Sequence, residues 1–489
     1  MEVVAAPAVV DSAPLASSSL KKPGHGNLKS PAPAVHQQGV NKQLADTSPH
    51  TPSDLSPILT GAEETLQDAI VKTVQTNPDV LIDVARRKST GEAAKKARSG
   101  LYPRIDVTVD VAAEQPDTSS TRSTYGSGVS QQRNSGSLTL SQMLFDGLGT
   151  QHEIERNQAR VESAAHKVAS TSELTALKTA ENYLEVLRLQ EILRLTQDNL
   201  AVHQRTYDQI KLRASSGVGR KSDQTQIEAR VALASASLKA AEANLRVAKI
   251  NYKLVVGNLP QRLVKPKIPD VTLLPPDVDE AIKRATANNR ILQSAQSDVN
   301  AAYAQYMGTK SPLLPRVDLE VSATSSNTNN ITNNSGTNFG NTREKSASAL
   351  VKMRFNLFDA GATRAAIGES SFLLEEAKEV LRRAERQLEH SVRLSWTAYT
   401  SAQERLPSLR QHAESSLMTH DAYAKQFTLG QRTLLDLLDT ESELFTSSTN
   451  YINGQYVELF SRYRVLADVG LMLQAVGVPQ REEAIFPAP

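Results

Sequence analysis

The sequence predicts a mostly helical α+β fold in which one unit, a β-hairpin followed by a long helical hairpin, occurs twice. Three observations predict it: an internal repeat, long stretches without proline, and runs in which apolar and polar residues alternate. Residues 151–259 contain no proline and residues 316–478 contain only Pro407. Because proline is the strongest helix breaker, both stretches can form very long helices.

The internal repeat has an offset of 212 or 213 residues. Ser99–Val107 (SGLYPRIDV) matches Ser311–Leu319 (SPLLPRVDL). The other matched positions are Leu144-Phe145-Asp146 with Leu357-Phe358-Asp359, Gly217 with Gly430, Asp223 with Asp436, and Gly257 with Gly470. Five matches in the same order indicate that the chain is a duplication.

The duplication divides the chain into parts with different expected structures. The expected parts are a disordered N-terminal extension at 1–60, a first repeat at 61–260, a linker at 261–276, a second repeat at 277–475 and a C-terminal tail at 476–489. The extension holds eight of the 22 prolines and few large apolar residues, too few to bury a core. No basic segment with an apolar core follows Met1, so we expect any targeting sequence to be missing from this chain or already removed.

Each repeat is expected to contain the same elements in the same order. The expected ranges are a helix at about 66–99 and 278–310, a β-hairpin at 105–145 and 317–357, and a long helical hairpin at 149–257 and 362–470. In the first strand, apolar residues at 105, 107, 109 and 111 alternate with polar residues. Such alternation gives a strand one apolar face and one polar face.

Two environments fit these alternating strands. An amphipathic soluble sheet packed on a core is the commoner cause of alternation, but four strands in two separate hairpins make a weak sheet in water. Strands of about ten residues joined by long polar loops fit an outer-membrane barrel better. Because the edges of a four-stranded sheet cannot stay unpaired in lipid, a cyclic homo-oligomer would have to close that barrel.

The composition excludes several classes of function. The chain has no cysteine, which excludes disulfides and thiolate metal centres, and no apolar run approaches the length of a transmembrane helix. A net charge of +2 indicates no nucleic-acid partner. The nine histidines show no ligand spacing, and Gly217–Ser222 has the wrong glycine spacing for a phosphate-binding loop. We therefore expect that the protein is not an enzyme and that it has no catalytic residue, no metal site and no cofactor.

Residues 65–475 resemble the TolC family of trimeric outer-membrane channel-tunnel proteins. The resemblance rests on the duplication, on Ser311-Pro-Leu-Leu-Pro315, on Leu144-Phe-Asp-Gly147 and above all on Phe427–Thr440 (FTLGQRTLLDLLDT). It implies a homotrimer with a twelve-stranded outer-membrane β-barrel, four strands from each copy, over a helical periplasmic tunnel. It also implies a passive exit channel in the outer membrane of a Gram-negative bacterium, embedded in lipid and with a large periplasmic part.

The resemblance also implies a pore constriction near the periplasmic turns, which Gly217 and Gly430 mark. Asp436 and Asp439 match two aspartates that line this constriction in the family, where three copies of each would form acidic rings that select cations. An alternative needs no pore: Thr433 and Asp436 have the spacing of an N-terminal helix cap.

A latch that keeps the entrance closed is the second implied site. Arg432 matches an arginine that links neighbouring helical hairpins, with partners at the positions of Ser222 and Asp223. Phe427 stands where the family has a tyrosine, so one hydroxyl-to-carboxylate link of the latch is absent here.

The implied partners are a periplasmic adaptor (membrane fusion protein) and an inner-membrane transporter, either an ABC exporter or a proton-driven efflux pump. The turn Ser216–Asp223 looks like those of outer-membrane components of type I protein secretion, which favours that function over drug efflux. A soluble coiled-coil scaffold is the alternative from another class, but a scaffold does not need strands with an apolar face. A periplasmic adaptor would have one helical hairpin instead of two.

Overall fold

The computed structural model describes residues 63–268 and 271–485. The helices are α1 (Leu66–Thr76), α2 (Pro78–Ser99), α3 (Ser119–Tyr125), α4 (Gly149–Ser215), α5 (Lys221–Val256), α6 (Val278–Asn288), α7 (Arg290–Gly308), α8 (Ala362–Thr428), α9 (Leu434–Asp468) and α10 (Met472–Val476). The strands are β1 (Glu63–Glu64), β2 (Arg104–Glu114), β3 (Ser130–Phe145), β4 (Arg262–Leu263), β5 (Arg316–Thr332) and β6 (Thr342–Arg354). The disordered extension predicted for 1–60 lies outside the described residues.

Two very long helices dominate the structure. Helices α4 and α8 have 67 residues each, which corresponds to about 100 Å. The returning helices α5 and α9 have 36 and 35 residues. Helix α8 continues through Pro407. None of the helices in the described ranges is both long enough and apolar enough to cross a bilayer.

The prediction of a single helix at the start of each repeat is wrong, because the chain forms two helices there. The first break is at Asn77, whose extended backbone (ψ 130°) precedes Pro78, as proline requires of the residue before it. The second break is at Asn289 (ψ 120°), at the same place in the second repeat. Both asparagine side chains cap the helix that follows, accepting hydrogen bonds from its first backbone N–H groups.

The same two asparagines join α2 end to end with the returning helix α5, and α7 end to end with the returning helix α9. Asn77 Nδ2 donates to the carbonyl of Val255 at the end of α5, at 3.0 Å. Asn289 Nδ2 donates to the carbonyl of Asp468 at the end of α9, at 3.4 Å. Helices α2 and α7 therefore extend α5 and α9 alongside the longer helices of each repeat.

The two β-hairpins join into one antiparallel sheet of four strands in the order β2-β3-β5-β6. The polar loops are shorter than the alternation suggests, because β3 already begins at Ser130 and β5 continues to Thr332. Backbone pairing can extend a hairpin beyond its apolar residues, since it does not depend on side-chain polarity.

The register of the sheet places apolar residues next to each other across all four strands. One row is Ile105, Leu140, Val321 and Ala349, and the next apolar row is Val107, Leu138, Ala323 and Ala347. The row between them is polar and consists of Asp106, Thr139, Ser322 and Ser348. The predicted division into an apolar and a polar face is therefore confirmed, and the apolar face is open: Val107 is 71% exposed.

The main hydrophobic core lies where α1, α4, α5, α9 and α10 meet, about halfway along α4. Its largest fully buried side chains include Tyr183 and Tyr252. This core joins α4 and α5 of the first repeat to α9 of the second, and a smaller cluster of α4, α5, α8 and α9 residues joins the two hairpins again beside their turns.

Candidate functional site

The turns of the two helical hairpins are built alike. Gly217 and Gly430 have φ of +74° and +76°, the left-handed region that favours glycine. In each turn the next residue donates its backbone N–H five residues back: Val218 to Arg213 at 3.1 Å, and Gln431 to Gln426 at 2.9 Å. This is the Schellman arrangement that ends a helix, so both glycines lie at turns between long helices; the periplasmic location of these turns stays a prediction.

The helix that follows each turn begins differently in the two repeats. In the second repeat, Thr433 Oγ1 accepts the N–H of Asp436 at 3.2 Å, and Asp436 Oδ2 accepts the N–H of Thr433 at 3.0 Å. In the first repeat Arg220 occupies the cap position and its side chain makes no cap hydrogen bond. The predicted capping alternative is therefore present at α9.

The two predicted pore acids have different surroundings. Hydrogen bonds from Thr433 hold the pKa of Asp436 below its ordinary value, so its carboxylate stays charged. The side chain of Asp439 is 64% exposed, and its Oδ1 lies 3.9 Å from Nη2 of Arg230 on α5. Capping uses one carboxylate oxygen of Asp436 and does not prevent the group from facing water.

Within one copy of the chain, Arg432 contacts other residues than the predicted latch partners Ser222 and Asp223. Arg432 Nε donates to Gln426 Oε1 at 3.0 Å, and its guanidinium lies 4.2 Å from the ring centroid of Tyr423. Ser222 Oγ donates to its neighbour Asp223 at 3.3 Å. A contact of Arg432 with the latch partners of a neighbouring copy stays a prediction.

Phe427 occupies an apolar cluster that joins the two helical hairpins. It is 6% exposed, and the cluster consists of Ile210 of α4, Ile227 of α5, Phe427 of α8, and Leu434, Leu437 and Leu438 of α9. The guanidinium of Arg213 lies 5.3 Å from the centroid of the Phe427 ring. The ring thus connects the hairpins by packing, where a tyrosine would add a hydroxyl.

A buried acid near the turns was missed by sequence reasoning. Glu441, on α9, is 6% exposed, and its Oε2 lies 2.6 Å from Nε2 of His420 on α8. Its Oε1 accepts from Nδ2 of Asn199 on α4 at 3.3 Å. These residues are far apart in sequence, so that no spacing pattern could have linked them.

The described part of the chain contains no group of three or more His, Asp or Glu side chains placed to hold a metal ion. The charged groups near the turns can therefore attract ions electrostatically and bind one another, but they do not form a coordination site.

Comparison with known families gives a match over both repeats. The family described as "Outer membrane efflux protein" matches residues 69–258 and 281–459. Each matched segment corresponds to one repeat.

Two curated relatives are similar over most of the chain. "Outer membrane efflux protein BepC" of Brucella suis biovar 1 is 25% identical over 418 residues, which are 85% of this chain and 88% of the relative. "Outer membrane protein TolC" of Escherichia coli is 22% identical over 410 residues, 81% of this chain and 80% of the relative.

Two solved structures share the fold. The outer membrane protein VceC of Vibrio cholerae superposes with a TM-score of 0.68 at 16% identity, covering 85% of this chain and 97% of VceC. The CmeC outer membrane channel of Campylobacter jejuni gives a TM-score of 0.71 at 12% identity, covering 86% of this chain and 87% of CmeC.

Proposed function

Because the chain belongs to the outer membrane efflux protein family, we propose that it is the outer-membrane exit channel of a tripartite export system in a Gram-negative bacterium. The family is one of channels, so the chain is a transporter component and not an enzyme. The observation that carries the proposal is a sheet with one open apolar face, attached to helices of about 100 Å.

The sheet is the part that enters the outer membrane. Its apolar rows suit lipid, and its polar face carries cross-strand ion pairs, such as Lys352 Nζ with Glu320 Oε2 at 2.6 Å. Strands β2 and β6 end the sheet without a partner in the described residues. Three copies joined edge to edge would pair every edge and give the twelve-stranded barrel of a homotrimer.

The helical hairpins form the periplasmic tunnel, and their turns form its inner entrance. With three copies around one axis, Asp436 and Asp439 would contribute six carboxylates to a narrow opening and make it selective for cations. Arg432 of one copy would reach Ser222 and Asp223 of the next and hold the entrance closed. Phe427 contributes packing to this closure.

The proposed partners are those that the family resemblance implies, and the turns are the proposed place of contact. A periplasmic adaptor would bind the turns and connect the channel to an inner-membrane transporter, either an ABC exporter or a proton-driven efflux pump. We favour type I protein secretion because of the sequence of the turn Ser216–Asp223, with drug efflux as the second candidate; BepC is named as an efflux protein.

Extraction of the protein in detergent tests the proposed assembly. We expect a complex of three chains that requires detergent to stay in solution. A monodisperse monomer in buffer without detergent would instead favour a coiled-coil scaffold. To identify the cargo, a deletion strain is assayed for the loss of large proteins from the culture medium and for drug sensitivity; sensitivity alone would show drug efflux.

A further inference from the structure

A buried carboxylate connects the two repeats just above the turns, and neither the proposed pore acids nor the proposed latch uses it. Glu441 is 6% exposed, so it cannot be part of an acidic ring that faces water. Its two oxygens face different repeats: Oε2 lies 2.6 Å from Nε2 of His420 in its own repeat, as an ion pair without an aligned hydrogen bond, and Oε1 accepts from Asn199 of the other repeat. A buried carboxylate is costly unless it is paired and hydrogen-bonded, so these contacts are needed to keep it there.

The surroundings of Glu441 contain a second unusual group. His203 lies one turn after Asn199 on α4, is 7% exposed, and interacts electrostatically with Glu441. Its Nδ1 is buried and has no hydrogen-bond partner among the residues that the structure describes. An unsatisfied buried nitrogen beside a buried carboxylate marks a place where a proton would change the interaction between the helices.

The other charged groups around this cluster come from every helix packed there. Arg230 of α5 lies 3.9 Å from Asp439. Its positive charge also disfavours protonation of His203 and so helps to lower the pKa of that residue. On α8, Asp421 Oδ1 lies 3.3 Å from Nδ1 of His420. The contact of Arg230 with Asp439 links α9 to α5, as the contact of Glu441 with Asn199 links α9 to α4, whereas the contact of His420 with Asp421 lies within α8.

We propose that Glu441 is a positioning residue that holds the second helical hairpin against the first near the entrance, and that protonation of His420 and His203 sets how firmly it does so. This inference rests on the proposed function, because it takes the turns to be the entrance of the channel. Any movement that separates α9 from α4 must break the contact between Glu441 and Asn199.

The two histidines respond to pH in opposite directions. The Glu441 carboxylate, 2.6 Å from the ring, raises the pKa of His420 above 6.5, so the contribution of His420 is fully present below pH 6.5 and is lost as the pH rises through that raised pKa. Burial lowers the pKa of His203 below 6.5, so its contribution is present above pH 6.5 and is lost as the pH falls through that lowered pKa. The hairpins are therefore held most firmly near pH 6.5 and less firmly on either side.

Single-channel recordings of the full-length complex between about pH 5 and about pH 9 test the proposal. For the wild type we expect a conductance minimum near pH 6.5, with a rise of about twofold or more on each side. His420→Gln should remove the rise on the alkaline side, and His203→Gln the rise on the acidic side. Glu441→Gln should raise the conductance at the minimum and flatten the whole profile.

A matched control is available on the same two helices. His412 Nε2 lies 2.6 Å from Glu443 Oε1, so this pair also joins α8 to α9, but both side chains are exposed. His412→Gln should leave the pH profile unchanged. The proposal is overturned if Glu441→Gln and His420→Gln keep the wild-type profile, or if His412→Gln changes it equally.

A second measurement does not depend on conduction. Because the chain has no cysteine, Val218→Cys and Leu429→Cys place spin labels on the two turns, where the native side chains are 85% and 72% exposed. We expect the mean distance between these labels to be shortest near pH 6.5. In the Glu441→Gln background we expect a broader distribution of distances. If the wild type forms no channels but the distances change in this way, the proposed function fails and the positioning role stands. If the protein conducts but the label distances do not depend on pH, the positioning role fails and the proposed function stands.

Discussion

The substitution Glu173→Gln should make the protein more stable at alkaline pH and change little at acidic pH. Glu173 lies in the middle of α4 and is 6% exposed. Burial raises the pKa of Glu173 from 4.5 to about 7, although backbone N–H groups of Leu473 and Met472 and the charge of Arg290 act in the opposite direction. Above pH 7 the folded protein therefore holds a buried charge.

The size of the effect follows from this pKa. Each tenfold change in proton affinity corresponds to about 1.4 kcal/mol, so the rise from 4.5 to about 7 is equivalent to roughly 3 kcal/mol in the free energy of unfolding. The raised pKa means that this stability is fully present below pH 4.5 and is lost as the pH rises through about 7. Glutamine stays neutral, and its amide oxygen can still accept from the N–H of Leu473, which lies 3.2 Å from Glu173 Oε2.

Thermal unfolding of the detergent-extracted complex, followed by far-UV circular dichroism, provides the assay. We expect the melting temperature of Glu173→Gln to equal that of the wild type near pH 4.5 and to exceed it at about pH 8. Glu181→Gln, an exposed position on the same helix, is the control and should show no such difference. A Glu173→Gln variant that is less stable than the wild type at about pH 8 would refute the reasoning.

Three further predictions concern the turns. Replacing Asp436 and Asp439 together by Ala should weaken cation selectivity and block by divalent cations, measured as reversal potentials in a salt gradient; unchanged values would remove both from the pore. Thr433→Ala should lower the free energy of unfolding by about 1 kcal/mol because the cap is lost, with ion selectivity unchanged. Thr433→Ser keeps the capping hydroxyl and should therefore be as stable as the wild type. Phe427→Ala should cost about 3–5 kcal/mol because it empties the cluster between the hairpins, and Phe427→Leu should cost less; equal melting temperatures for Ala and wild type would contradict the packing role.

The helices and strands could be predicted because their signals are local. Alternation at Ile105–Val111 and the absence of proline from 151–259 follow directly from the geometry of one element. The breaks at Asn77 and Asn289 had weaker signals: Pro78 marks the first, but the second has no proline and depends on an asparagine cap.

In the candidate site, too, the local features could be predicted and the long-range contacts could not. The turns at Gly217 and Gly430 and the cap of Thr433 with Asp436 were predictable, because each is a contact within a few residues. The contacts of Glu441 with His420 and Asn199 join residues about 20 and 240 positions away. Such contacts depend on how the hairpins pack, which the sequence pattern does not encode locally.

The ion conductance of the purified complex in a planar lipid bilayer tests the central claim most directly. If three copies close a barrel over the helical tunnel, the protein should produce discrete, cation-selective conductance steps that vanish when the complex is dissociated before addition. A purified, folded complex that inserts into lipid without producing steps, or that does not associate with lipid at all, would contradict the account.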